Sequence, residues 1–200
     1  ALGGASPSLG RTDQIDGGSA QDTINVAMDG NFLLGFSSGY MTDVEIVNLA
    51  ASASSVTPKT FNFTGASGVE TINVGAGNAP IIVSNISDTG ITLNLSGQST
   101  GAFDVGFATG TISGSGSSLT VGLTDVGSPG AAVSLTANLV TDLDLISYGT
   151  GNHVDLSGSV NDIQNILGLD VPLELDLQGR WEGVAPLEAK LSLDWYRDSW

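Results

Sequence analysis

Apolar residues alternate with small polar ones along most of the chain. Pairs and triplets at every second position include Ile24/Val26, Phe61/Phe63, Ile72/Val74, Ile81/Val83 and Ile91/Leu93/Leu95. The series continues with Phe103/Val105/Phe107, Leu119/Val121/Leu123, Val133/Leu135, Leu143/Leu145 and Val154/Leu156. A period of two is that of a β-strand with one face buried. The polar partners are mostly Thr, Asn, Asp and Ser, and Gly-rich turns such as Gly65-Ala66-Ser67-Gly68 separate the strands. From Phe61 onward the strand starts recur roughly every 9 to 16 residues.

Two all-β architectures accommodate such spacing: an antiparallel β-sandwich and a parallel β-solenoid, in which each turn adds one short strand per side. Self-similarity favours the solenoid. Thr23-Ile24-Asn25-Val26 recurs as Thr71-Ile72-Asn73-Val74, and Phe61-Asn62-Phe63 and Leu93-Asn94-Leu95 are relatives. Stacked turns set like over like, whereas a sandwich has no reason to repeat itself. Residues 1–159 are therefore expected to form the solenoid, with Ile24, Ile72, Leu93, Leu119 and Leu143 in one core.

The pattern changes after residue 159. Val160 to Leu169 reads as a short helix, with Ile163, Ile166 and Leu167 on one side. Two alternating stretches follow, Leu173/Leu175/Leu177 and Leu187/Ala189/Leu191/Leu193/Trp195. Trp181, Trp195 and Trp200, the only tryptophans, all fall here. Solenoids need atypical end units, so 160–200 is expected to be a strand-rich cap or the start of a further module, with the three Trp as candidate interface residues.

Composition narrows the function. With 21 acidic and 5 basic residues the chain carries a net charge of −16. Nucleic acid and anionic membrane surfaces are unsuitable partners, because phosphate contacts need Lys and Arg. Such an excess repels itself unless cations neutralise it, and hard divalent ions that favour oxygen ligands are the natural candidates. There is no Cys, so disulfides and thiolate metal sites are excluded. No apolar run reaches the ~18 residues of a membrane-spanning helix. At 40% hydrophobic residues, the chain can build a core.

The most specific motif is Gly17-Gly18-Ser19-Ala20-Gln21-Asp22-Thr23-Ile24-Asn25. It matches the calcium-binding nonapeptide G-G-x-G-x-D-x-U-x with Ala20 in place of the third Gly. The nine residues before it carry Asp13 and Ile15 in the same register, and Asp16 precedes the Gly pair. Asp13 and Asp22, nine residues apart, are expected to stack in successive turns. A weaker relative, Gly65 to Asn73, places Glu70 where Asp would sit, and Gly149-Thr150-Gly151-Asn152 is a third. These residues resemble the RTX family of bacterial hemolysin-type calcium-binding repeat proteins. The segment 42–49 and Gly68 to Val74 are similar to segments of RTX-type S-layer and large surface proteins. The resemblance implies type I secretion, an extracellular site and calcium-driven folding, with Asp13, Asp16, Gly17, Gly18, Ala20, Asp22 and, more weakly, Glu70 as the calcium-binding residues.

Catalytic patterns are poorly represented. His153 is the only His, nothing like a nucleophile elbow surrounds it, and it reads as a turn residue. Asp142 and Asp144 share one strand face, with no aromatic cluster beside them to stack a sugar. The chain is expected to be a non-enzymatic structural component of an S-layer-like bacterial surface assembly, calcium-stabilised and self-associating. Its expected partners are copies of itself. An adhesin or biofilm-matrix module bound to cell-surface polysaccharide, and the accessory solenoid of a secreted enzyme, are the alternatives.

Overall fold

The computed structural model describes residues 9–51, 57–75, 79–97, 102–108, 118–128, 130–137, 142–159 and 187–194. Among these residues the protein is all-strand, a parallel β-solenoid. The first sheet is built from β2 (Thr23–Met28), β4 (Ile46–Ala51), β6 (Thr71–Val74), β8 (Thr92–Ser96), β10 (Ser118–Thr124) and β12 (Asp142–Tyr148), neighbours in that order. The second contains β5 (Lys59–Asn62), β7 (Ile81–Ile86), β9 (Ala102–Phe107), β11 (Val133–Ala137), β13 (Asn152–Ser159) and β14 (Leu187–Asp194). A short third side pairs β1 (Ile15–Asp16) with β3 (Met41–Thr42), and a bridge from Met41 to Ala66 continues it.

Every strand pairing among the described residues is parallel. The one antiparallel bridge, Ser128 to Ala131, lies within a turn. Parallel neighbours need a crossover rather than a hairpin, and here the strand of the opposite sheet is the crossover. The antiparallel sandwich is thereby excluded.

Alternation decides which residues meet. In the first sheet Ile24, Val47, Ile72, Leu93, Val121 and Leu145 are in register, one per turn, all facing inward. Val26, Leu49, Val74, Leu95 and Leu123 form the next inward column. The second sheet answers with Ile81, Phe103 and Leu135, and with Phe61, Val83 and Val105. These columns form one hydrophobic cluster. Leu119 belongs to it at 0% exposure, while Ile24, on the terminal strand of its sheet, is only partly buried. Leu143 holds the expected register opposite Leu119.

An aromatic group fills the N-terminal end of the core. Phe32 and Phe36 lie 4.9 Å apart edge to face, Phe32 and Phe61 5.2 Å, and Phe61 and Phe63 4.8 Å. Edge-to-face rings add to simple area burial. Phe32 bridges Phe61 in the parallel sense, so the chain between β2 and β3 already lies along the second sheet. Each turn at this end therefore visits three sides.

The expected helix at 160–169, the stretch Leu173 to Leu177 and the three Trp lie outside the described residues. The alternating stretch from Leu187 is a strand, and β14 extends the second sheet by pairing with β13 from Asn152–Leu187 to Ser159–Asp194. His153, read as a turn residue, is instead the second residue of β13. Its neighbours Asn152 and Val154 are buried, and alternation sets His153 between them on the outward side.

The fold makes a quantitative prediction. Leu93 is 1% exposed in mid-column, so Leu93→Ala should cost about 2–5 kcal/mol in chemical denaturation. A loss below 1 kcal/mol would show that the column is not a continuous packed core.

Candidate functional site: an acidic corner beside a column of amides

The corner leading into the first sheet carries the Gly-Gly-x-x-x-Asp motif. Gly17 donates its backbone N–H to Thr42 O at 3.0 Å. A Cβ at Gly17 would lie 1.7 Å from the Asp43 carbonyl oxygen and 2.9 Å from the Asp22 Cβ. The first Gly is therefore required by the backbone of the next turn. Asp16 accepts from Gly18 N on Oδ1 at 3.0 Å, a local Asx-type turn. Asp13 accepts from Gly10 N at 2.8 Å, while its own N–H bonds Gly10 O at 3.2 Å. Asp13 and Asp16 thus each brace their own turn, and Ala20 is exposed.

The expected stacking of Asp13 on Asp22 does not occur. Ile15 pairs with Met41 and Thr23 with Ile46, so the two nine-residue segments lie on different sides of the same turn. The residue that meets Asp22 is Glu45, on the following turn. Asp22 donates its backbone N–H to Glu45 Oε2 at 2.7 Å, and Ile46 N donates to Asp22 O at 3.0 Å. The Glu45 carbonyl accepts from both Glu70 N at 2.9 Å and Thr71 N at 2.8 Å. Asp22, Glu45 and Glu70 each stand immediately before their strand on three successive turns, and Glu70 is exposed. One turn further, Asp88 accepts from Gly68 N and Val69 N at 3.4 and 3.3 Å.

One atom in this corner stands out. Asp22 Oδ2 is buried and has no hydrogen-bond partner. A desolvated carboxylate oxygen without a donor is costly, and a bound cation would remove that cost. Among the described residues no three His, Cys, Asp or Glu side chains come together as a metal site. A calcium ion here would therefore depend on the carboxylates of Asp22 and Glu45, backbone carbonyls such as that of Asp43, and water. The donor type fits calcium, which takes oxygen ligands of all three kinds.

The outward face of the same sheet carries a feature that sequence reading captured only as repetition. Asn48 donates its side-chain amide to Asn25 Oδ1 at 2.7 Å, Asn73 to Asn48 at 2.7 Å, and Asn94 to Asn73 at 2.8 Å. The intervals are 23, 25 and 21 residues, one turn each. Stacked amides bonding along the axis are a known stabiliser of in-register parallel strands. The column ends at Gly122, which pairs with Asn94 and where a Cβ would come within 2.4 Å of Asn94 Oδ1. Thr71, Thr92 and Thr120 form a parallel column two residues earlier on their strands.

A second acidic turn lies at the other end of β10. Asp125 has φ +53° and accepts on Oδ1 from Thr150 N at 2.6 Å and from Thr150 Oγ1 at 2.7 Å. The backbone bond, helped by the hydroxyl, holds its pKa below the ordinary 3.8 against a small opposing effect of desolvation. Below it, Asn152 is fully buried. It accepts from Val126 N at 2.8 Å and donates to Ser147 Oγ and Tyr148 O at 2.8 and 2.9 Å. The Gly149 to Asn152 segment therefore works as a hydrogen-bonded corner.

A depressed carboxylate pKa contributes stability that is present above the unfolded pKa and lost as pH falls through the folded one. Asp125→Asn keeps an Oδ1 acceptor but cannot ionise. The variant should melt below the wild type at neutral pH, and the gap should close as pH drops under 3.8. Parallel melting curves from pH 7 to pH 2 check this; a gap independent of pH would contradict it.

Comparison of the chain with protein-family models, with curated proteins and with solved structures finds no match.

Proposed function

We propose that this chain is a structural module of a bacterial extracellular surface assembly, stabilised by calcium at the Asp22–Glu45 corner and built to associate with copies of itself. The observation that carries the reading is the buried, partnerless Asp22 Oδ2 in a chain of net charge −16. In-register stacking brings acidic positions over one another, and like charges facing across neighbouring strands are destabilising. A divalent cation at the corner offsets that repulsion and supplies the missing partner. The RTX resemblance of Gly17 to Asn25 supports the same ion, an extracellular location and type I secretion.

The structural role draws on the repetitive solenoid. The outward positions described on β2, β4, β6, β8 and β10 are mostly small and polar and repeat from turn to turn, which suits regular contact. In this reading the chain performs no catalysis, and the candidate interface residues Trp181, Trp195 and Trp200 contribute to association.

Extracellular calcium modules bind at about 10⁻⁴ to 10⁻³ M. At free calcium tenfold above the dissociation constant, one site contributes roughly 1.4 kcal/mol, or roughly 3–6 °C in melting temperature for a chain of this size. Adding a chelator should lower the melting temperature by that amount, and Asp22→Asn should abolish the calcium-dependent shift while remaining folded. A melt indifferent to calcium would remove the site. Light scattering should show calcium-dependent association of the intact chain. A chain that stays monomeric at high concentration in calcium, and binds a glycan instead, would favour the adhesin reading.

A further inference from the structure

We infer that the outward face of the first sheet, over β2, β4, β6, β8 and β10, is a lateral contact surface whose partner is the same face of a second copy of this chain. The inference rests on the self-association proposed above and assigns it a surface.

Charge is the first argument. The outward positions described on these five strands are Thr, Asn, Ala, Ser and Gly, with a single Ile at 46, and none is ionisable. The rest of the surface differs. The outward side of the second sheet carries Asp104 and Asp155, and acidic residues at 22, 45 and 70 stand at the corner just outside the neutral face. Two subunits at −16 each repel one another, least where the facing surfaces hold no charge. The acidic corner then forms the rim, where cations act.

Periodicity is the second argument. The amide column fixes identical side chains at one strand spacing, ~4.8 Å. A second copy is the partner certain to present the same period, so amide and hydroxyl columns meet rung for rung. Each Asn inside the column gives one N–H to its neighbour below and accepts one bond from above, leaving a second N–H and a second lone pair for a facing molecule. A two-fold pairing of such a face is isologous. A neutral polysaccharide could also use these groups, but the only aromatic side chain described beside this face is Tyr148 of β12, which lies at its Gly122 edge and leaves the amide column without a stacking ring.

Area sets the strength. Five strands at ~4.8 Å by about five residues at ~3.3 Å give roughly 400 Å² per partner, half of the ~800 Å² per partner in a standard stable complex. The contact is therefore weak for an isolated pair and becomes effective when many copies are held together, as in an array.

The chain lacks Cys, so a single introduced thiol reports contact cleanly. Ala50 is exposed at the end of β4 on the proposed face, and Ser134 lies on the outward side of the second sheet. The full chain carrying Ala50→Cys or Ser134→Cys is treated with a short bis-maleimide at high protein concentration in calcium. Ala50→Cys should yield mostly covalent dimer and Ser134→Cys little. Adding Ser96→Glu, at an exposed position of the same face, should reduce Ala50→Cys dimer several-fold without altering its melting temperature. Equal cross-linking from both faces, no cross-linking from Ala50→Cys, or indifference to Ser96→Glu would overturn the inference. So would protection of Ala50→Cys by a soluble neutral glucan at concentrations that leave Ser134→Cys reactive, which would make the face a polysaccharide surface. Light scattering on the same samples separates the two claims. Assembly without Ala50 cross-linking leaves self-association standing and removes this face. Cross-linking without larger assemblies leaves this face standing as a pairwise contact and removes the extended array.

Discussion

The structure depends on in-register stacking of parallel strands one turn apart. Backbone pairing fixes the vertical spacing at ~4.8 Å, so each residue lies directly over its counterpart one turn away. Every side chain is then judged by what it does when placed on a neighbour of its own kind. Apolar residues profit, and Ile24, Val47, Ile72, Leu93, Val121 and Leu145 make one continuous column. Asn profits when it can pass an amide hydrogen bond along the axis. Carboxylates lose, and this explains their distribution.

Within the first sheet acidic residues enter the strands only in β12, at Asp142 and Asp144, and the second sheet carries Asp104 and Asp155. Others occupy corners, where turn geometry offers donors. Asp13, Asp16, Asp88 and Asp125 each accept from backbone N–H groups of a turn. At Asp125 these bonds hold the carboxyl below its ordinary pKa. Asp22 is the exception, with one oxygen buried and without a hydrogen-bond partner, at the corner between β1 and β2 where we propose the cation.

The neutral face follows from the same rule. Each turn there carries Thr or Asn, which hydrogen-bond without charge. The amide column stops where Gly122 replaces Asn, and the interval from Asn94 to Gly122 is longer than the three before it. A longer turn and the loss of the repeated residue coincide, as they would if register is kept by the backbone and the column exploits it.

Much of the fold was legible in the chain because alternation has a period of two and buried faces are read directly from it. The recurrence of Thr-Ile-Asn-Val marked the solenoid, since only stacking gives like residues a reason to recur. The Gly17-Gly18 pair and Asp22 could be singled out because a close backbone approach and an acidic turn leave residue-type signatures. Which turn stacks on which was not legible. Nine-residue spacing suggested Asp13 over Asp22, but a turn visits three sides at this end and closes after 23 residues, setting Asp22 beside Glu45. That distance depends on how many residues each corner consumes, which local propensity does not encode. The pairing of Asp125 with Thr150 and the clamp made by Asn152 were likewise decided only by tertiary structure, because hydrogen bonds across a full turn join residues that share no local pattern.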